Sequence, residues 1–257
     1  MVGTLPTDAQ TSAIAGAIEE LRRKRSPAVS CVHEVIGGAW QNWRDARTAV
    51  VLPGSFNPLH VAHLQLLEAA ARAIRQPNGL PDPVQALSLS VNTIDKAQVT
   101  GMALHDRAWT MHAAISPRGG LALLASHGLY LDQAFALRTA MPRLARDGLW
   151  FAIGYDKAVQ IFDPRYYDDR DLSLQTLFDG AGLLVAPRAG ADARDLGELM
   201  NRSENRQFSE SVRPIELSAA LSLLSSSAIR SGTASHRNLP PAVVAMIGER
   251  RCYSRDA

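Results

Sequence analysis

From Thr48 onward, short apolar runs of strand length alternate with stretches of helical periodicity, which predicts an α/β protein built on a parallel sheet covered by helices. Two further observations bound the size and class. At 257 residues the chain can bury the core of one full domain with a short extension. A composition of 46% hydrophobic and 20% charged residues is that of an ordinary globular protein, which sets aside disordered and fibrous classes. The expected architecture is a Rossmann-like open parallel sheet with helices on both faces, a small C-terminal helical part, and an N-terminal helical extension. The extension is expected over residues 1–46 and the main domain over residues 47–257.

In chain order, residues 13–25 carry apolar positions at helical spacing and end on Arg22, Arg23, Lys24 and Arg25. Bases suit the C-terminal end of a helix electrostatically; contact with an anionic partner is the weaker alternative. Trp40 and Trp43 are expected to pack this extension onto the main domain. Strands are predicted at residues 49–52, 86–91, 121–125, 149–153 and 183–186, with a later one at 212–217. Helices are predicted at 60–74, 102–115, 132–144 and 192–201. A terminal helix follows Pro240-Pro241, where proline suits the first turn. Residues 163–169 read as a polar surface loop with capping acids. Ligands of such sheets bind beyond the carboxyl ends of the strands, so the informative residues should lie just after strands.

A formal net charge of +2 argues against a dedicated nucleic-acid binder, which needs clustered Lys and Arg. A small anionic ligand suits it better. Cys31 and Cys252 are the only cysteines, and their separation suggests neither a disulfide framework nor a zinc site. No apolar run reaches the roughly 20 residues that span a bilayer, and no secretory signal is apparent. The expectation is a cytoplasmic protein with no membrane and no nucleic-acid partner.

The strand at 49–52 runs into Pro53-Gly54-Ser55-Phe56-Asn57-Pro58 and then into a helix beginning near His60. Gly54 permits close backbone approach, and the N–H groups at a helix start favour an anion. His60 and His63, three residues apart, share one helix face. A zinc protease would need His-Glu-x-x-His and a serine hydrolase Gly-x-Ser-x-Gly, and this segment is neither. Near the other end, Ser225, Ser226 and Ser227 precede a short helix on which Arg230 follows one turn later; serine is also a favoured cap. Gly154-Tyr155-Asp156 follows the strand at 149–153.

The segment Gly54-Ser55-Phe56-Asn57-Pro58-Leu59-His60-Val61-Ala62-His63 resembles the Gly-Ser-Phe-Asn/Asp-Pro…His-x-x-His signature of adenylyltransferases related to nicotinamide and nicotinate mononucleotide adenylyltransferases. Leu224-Ser225-Ser226-Ser227-Ala228-Ile229-Arg230 resembles the same family's Ile-Ser-Ser-Thr-x-x-Arg signature, with Leu224 for isoleucine and Ser227 for threonine. Arg107 to Met111 resembles its Arg-x-x-x-Met helix, and the stretch from Val185 to Gly190 its Val-x-x-Arg-x-Gly loop. The string from Gly154 to Tyr167 is similar to a fungal branch. The family often has glycine between the histidines, where this chain has Ala62. The resemblance covers residues 48–249.

What the resemblance implies is transfer of the adenylyl group of ATP to nicotinamide or nicotinate mononucleotide, giving the dinucleotide NAD or its acid form and pyrophosphate. The acceptor phosphate already carries about −1.5 to −2 charges at neutral pH, so direct in-line displacement needs positioning and positive charge rather than a base. His60 and His63 are then expected at the ATP phosphates, His63 nearest the α-phosphate, with Ser226, Ser227 and Arg230 on the departing pyrophosphate. Gly54, Ser55, Phe56, Gly154 and Asp156 would complete the ATP site, Asp156 toward the ribose. Asn57, Lys96 and Arg188 are candidate substrate or phosphate contacts. Mg²⁺ would accompany ATP, with no protein metal ligands. Two other readings stay open: a nucleotide-binding module with lost or weak catalysis, and a transferase with a different phosphate acceptor. Amide-versus-acid preference and homo-oligomerisation leave no residue signature.

Overall fold

A computed structural model describes residues 5–39, 42–75, 81–92, 101–187, 193–218 and 224–253. Its strands are β1 (Val29–Cys31), β2 (Ala49–Pro53), β3 (Val84–Ser90), β4 (Leu121–Ala125), β5 (Leu149–Gly154), β6 (Gly182–Ala186) and β7 (Val212–Pro214). They form one sheet in the order β1-β4-β3-β2-β5-β6-β7. All pairings are parallel except that of β1 with β4. β2, β4, β5 and β6 are near-continuous apolar runs, because both faces of a parallel sheet are covered; β4 and β6 are buried at every residue.

The helices are α1 (Asp8–Arg22), α2 (Val32–Val35), α3 (Val61–Ala73), α4 (Leu104–Ile115), α5 (Tyr130–Ala140), α6 (Tyr155–Phe162), α7 (Arg170–Gly180), α8 (Ala193–Asn201), α9 (Ser226–Arg230) and α10 (Pro241–Arg250). Successive strand residues point to opposite faces, and each face has its own core. Val50, Leu52, Leu87, Leu89 and Leu124 meet α1, α3, α4 and α10 through Ile14, Leu67, Met111 and Val243. Val51, Phe151, Leu123 and Leu183 meet α5 to α8 through Leu137, Ile161, Leu174 and Leu199. The predicted layers are therefore present.

Several boundaries differ for local reasons. The N-terminal helix begins earlier than predicted, at Asp8, where the Thr7 side chain and Gln10 form a reciprocal capping box. It leads into β1, which is too short to be read from periodicity. The helix predicted at 132–144 runs from Tyr130 to Ala140, since Pro142 disfavours helical backbone just before it. The strand predicted at 212–217 ends at Pro214, although Ile215 N still donates to Val185 O at 2.9 Å. Asp163 and Asp169 do cap the elements that follow them, accepting from Arg165 N and Leu172 N. Trp43 is buried in one core cluster with Ala49, Met141 and Leu149, which packs the N-terminal segment against the sheet, while its Nε1 donates to Glu34 Oε1 at 2.9 Å within that segment; Trp40 lies outside the described residues.

Ile14, Ile18 and Leu21 of α1 are at most 4% exposed and cover α4. A chain starting at Thr48 would expose the face of α4 that α1 covers and would lose β1. It is expected to lose its cooperative denaturant transition, as followed by far-UV circular dichroism; a sharp transition with the full-length midpoint would contradict the packing described.

His112 on α4 sits beside Ser116 Oγ, 2.8 Å from its Nδ1, and between the rings of Trp109 and His33. Burial, then the nearby His33, lowers its pKa from 6.5 to about 4. The unfolded chain therefore binds more protons than the folded one between these values. Stability should rise with pH across this window and be lost as pH falls from about 6.5 toward 4. Urea midpoints measured through that range should fall less steeply in His112→Gln than in the parent; equal slopes would contradict the assignment.

Candidate active site

The strand order reverses between β2 and β5, which lie side by side. The chain leaving β2 passes through α3 to β3 on one side, and that leaving β5 passes through α6 and α7 to β6 on the other. Such a reversal opens a crevice at the carboxyl ends of the strands. The segment from Gly54 to His60 forms one lip and Gly154 to Asp156 the other.

On the first lip, Gly54 N donates to Ser88 O at 3.0 Å, tying the start of the loop to β3. Phe56 adopts φ +45° and is buried. Its ring folds back so closely that a Cβ at Gly54 would lie 2.9 Å from it, so a larger residue there would have to displace the Phe56 ring. The Asn57-Pro58 peptide is cis. His60 caps α3 in extended backbone, and its N–H donates to His63 Nδ1 at 3.2 Å. That bond makes Nδ1 an acceptor and leaves Nε2 as the nitrogen by which a neutral His63 can donate. The two imidazoles stack at 3.6 Å between centroids, with Phe56 edge-on to His63 at 5.2 Å. The shared face predicted from their spacing is thus realised, and Ala62, 6% exposed, turns into the core.

The second motif closes on this loop from the far end of the chain. Ser225 caps α9, its Oγ accepting from Ala228 N at 3.1 Å. Ser226 Oγ donates to Pro58 O at 2.9 Å, and Arg230 Nη1 donates to Asn57 O at 2.6 Å. Arg230 Nη2 also donates to Ser227 Oγ at 3.1 Å. Ser226 thus uses its proton on a backbone carbonyl and acts as a tether. Ser227 accepts from the guanidinium, which leaves its own proton for another acceptor.

Two residues of this cluster were not singled out from sequence as site residues. Arg107, 5% exposed, donates through Nε to Met102 O at 2.6 Å and through Nη1 to Ser55 O at 3.3 Å. Its pKa is lowered by burial first and by the charge of Arg230 as well. The Arg-x-x-x-Met resemblance contained it, but only as part of a helix. Tyr253 donates its O–H to Asn57 Oδ1 and accepts from Met102 N at 3.1 Å. Burial pushes its phenol up to about 12, so it remains a donor at neutral pH. Nothing in the terminal sequence signals it.

On the opposite lip, Gly154 caps α6 and Asp156 lies exposed in its first turn. Lys96 and Arg188 fall outside the described residues. Another cleft, of about 750 Å³, runs between α6, α7 and α8 and is lined by Phe162, Asp163, Arg170, Arg202 and Asn205. It contains none of the predicted site residues. Among the described residues, no group of three or more His, Cys, Asp or Glu could hold a metal ion. Nor, among the described residues, is any helix long and apolar enough to cross a membrane.

Because Ser226 Oγ supplies a bond to a loop carbonyl, Ser226→Ala should lower stability by about 0.5–1.5 kcal/mol, read as a shift in urea midpoint at constant slope. An unchanged midpoint would mean that the tether contributes nothing.

No protein-family model matches the chain, and no curated protein matches it. Solved structures do. Plasmodium falciparum nicotinic acid mononucleotide adenylyltransferase complexed with NaAD is similar with a TM-score of 0.55 at 14% identity, over 80% of this chain and 97% of that one. The same enzyme complexed with APC gives a TM-score of 0.51, also at 14% identity and with the same coverage. At this identity the likeness concerns the fold, and it is the open, mostly parallel α/β sheet that the sequence predicts.

Proposed function

We propose that this chain is a nucleotidyltransferase that transfers the adenylyl group of ATP to a pyridine mononucleotide, of the type found in the fungal branch. The observation that carries the reading is the tether of α9. It holds the Arg230 guanidinium on the loop that starts the His60–His63 helix, at the crevice between β2 and β5. A second cation, the buried Arg107, braces the same loop. Two guanidinium groups within mutual electrostatic reach favour an anion that relieves their repulsion. The resemblance of both motifs to the adenylyltransferase signatures supports the same reading, as does the name of the structural neighbours.

The chemistry then follows from charge. An oxygen of the acceptor phosphate attacks the α-phosphorus of ATP, the bond to the bridging oxygen breaks, and pyrophosphate leaves. No proton need be removed from the attacking phosphate, so the histidines serve as donors to the phosphates, His63 nearest the reacting phosphorus. Arg230 and Ser227 receive the leaving group, while Ser226 holds α9 in place. Gly54 and Ser55 let the chain pass close to the phosphates, and Gly154 and Asp156 take the adenosine side across the crevice. Asn57 is assigned to the phosphate-bearing side of the ligand. Mg²⁺ prefers oxygen ligands and commonly arrives with substrate phosphates. With no cage of protein carboxylates among the described residues, it would be held by ATP and neutralise its charge.

The test is incubation with ATP and Mg²⁺ against nicotinamide mononucleotide, nicotinate mononucleotide and other phosphates, scored for pyrophosphate and dinucleotide. One of the two pyridine mononucleotides should give dinucleotide. His63→Ala and Arg230→Ala should each lower kcat/KM by roughly 10² to 10³, the usual loss on removing one preorganised donor to developing charge. Binding of ATP without release of its pyrophosphate in the presence of any acceptor would overturn the reading.

A further inference from the structure

On the side of β2 away from β5, the sheet continues through β3 to β4. Adjacent strands lie about 4.8 Å apart, which sets β4 roughly 10 Å from β2. Pro53 pairs with Ser88 and Ser88 with Leu123, so β4 runs past the level at which β2 ends. The segment that follows it, Ser126-His127-Gly128-Leu129, therefore leaves the sheet farther along the carboxyl edge than the loop of residues 54–58.

This segment is held from two directions. Ser126 is fully buried; its N–H donates to Ala28 O at 2.9 Å and its Oγ accepts from Ala28 N at 2.8 Å. Asn92 Nδ2, just after β3, donates to Ser126 O at 2.9 Å. Ser126 Oγ also lies 2.8 Å from His127 Nδ1. Having accepted from Ala28, the hydroxyl has its own proton to give, and with Nδ1 as its acceptor a neutral imidazole carries its proton on Nε2. Among the described residues Nε2 has no hydrogen-bond partner, yet it is not one of the buried polar atoms of the half-buried His127; it reaches solvent. Burial raises the pKa of Asp132, in the first turn of α5, and His127 acts on it in the opposite sense, but no hydrogen bond joins the two among the described residues. Leu129, 40% exposed, adds an apolar side chain to the same loop.

We propose that His127 is a binding residue for the acceptor mononucleotide, its Nε2–H donating to the oxygen of the carboxamide or carboxylate on the pyridine ring. The proposal rests on the adenylyl-transfer reading above. That reading gives the β5 side of the crevice to adenosine and the loop after β2 to the phosphates, which leaves the β3–β4 side for the rest of the acceptor. The separation of β2 and β4 is comparable with the span of a mononucleotide from its phosphate to its ring. The N-terminal extension then has a part in the site, because Ala28, through Ser126, sets which nitrogen of His127 bears the proton.

The experiment measures, by calorimetry, the Kd of nicotinamide mononucleotide, of nicotinate mononucleotide and of ATP·Mg²⁺ for the parent, His127→Leu and His127→Gln, with thermal melting in parallel. His127→Leu keeps bulk but removes the donor. It should weaken the mononucleotide that the parent prefers by about three- to tenfold, the range expected for one net hydrogen bond, and leave the Kd of ATP·Mg²⁺ within twofold. His127→Gln, whose amide carries an N–H at comparable reach, should fall between the parent and His127→Leu. The mononucleotide that loses affinity identifies the ring oxygen that the imidazole meets. Unchanged affinity for both mononucleotides in His127→Leu would overturn the proposal. So would an equal loss of ATP·Mg²⁺ affinity, which marks a general loosening of the crevice. Should His127→Leu not fold, His127→Asn takes its place, since its amide can meet Ser126 but cannot reach the position of Nε2. Mononucleotide binding without turnover in the parent would count against the enzyme reading alone, and the Kd comparison would still decide the role of His127. A parent that binds neither mononucleotide would overturn both.

Discussion

The carbonyl oxygens of Asn57 and Pro58 each accept a hydrogen bond from α9, one from Arg230 Nη1 at 2.6 Å and one from Ser226 Oγ at 2.9 Å. These two bonds join segments from opposite ends of the sequence. A hydrogen bond from a charged donor contributes about 1.5–3 kcal/mol and a neutral one about 0.5–1.5 kcal/mol. Modest as each is, together they decide whether Arg230 stands at the loop or away from it. Without them, the head of α3 would carry two stacked imidazoles and a helix dipole, but the guanidinium of the second motif would be elsewhere.

The fold makes this junction possible. Parallel pairing of β2 with β3 and with β5 brings their carboxyl ends level, so the loops that follow share one edge of the sheet. Arg107 then fixes the loop from beneath, through Ser55 O and Met102 O. Its burial beside a second guanidinium is costly in isolation. The backbone carbonyls offset part of that cost, and a bound polyanion would offset more. The hydrogen bonds from Arg107, Met102, Tyr253, Ser226 and Arg230 all converge on residues 55–58, so this loop is braced from several elements at once.

The large features were legible in the sequence because they depend on local pattern. Strand-length apolar runs at 121–125 and 149–153 mark a sheet buried on both faces, and the spacing of His60 and His63 places both rings on one helical face. What was not legible depends on contacts far apart in the chain. β1 is three residues long and is defined by its pairing with Leu123, Leu124 and Ala125, so no periodicity announces it. Arg107 looks like an ordinary helical arginine until its neighbours are known. Tyr253 follows Arg250, Arg251 and Cys252, which give no hint of a phenol folded back onto the loop. Ser226 illustrates a subtler point: its place in the motif was visible, but the acceptor of its proton was not, and that acceptor is what makes it a tether.

The central claim is that one anion site is assembled from both ends of the chain, and amide hydrogen exchange with and without ATP·Mg²⁺ tests it most directly. The account predicts that ATP protects residues 54–63 and 225–230 together, with the same concentration dependence, and leaves residues 163–171 around the other cleft unchanged. Protection of only one of the two segments, or protection centred on that cleft instead, would contradict it.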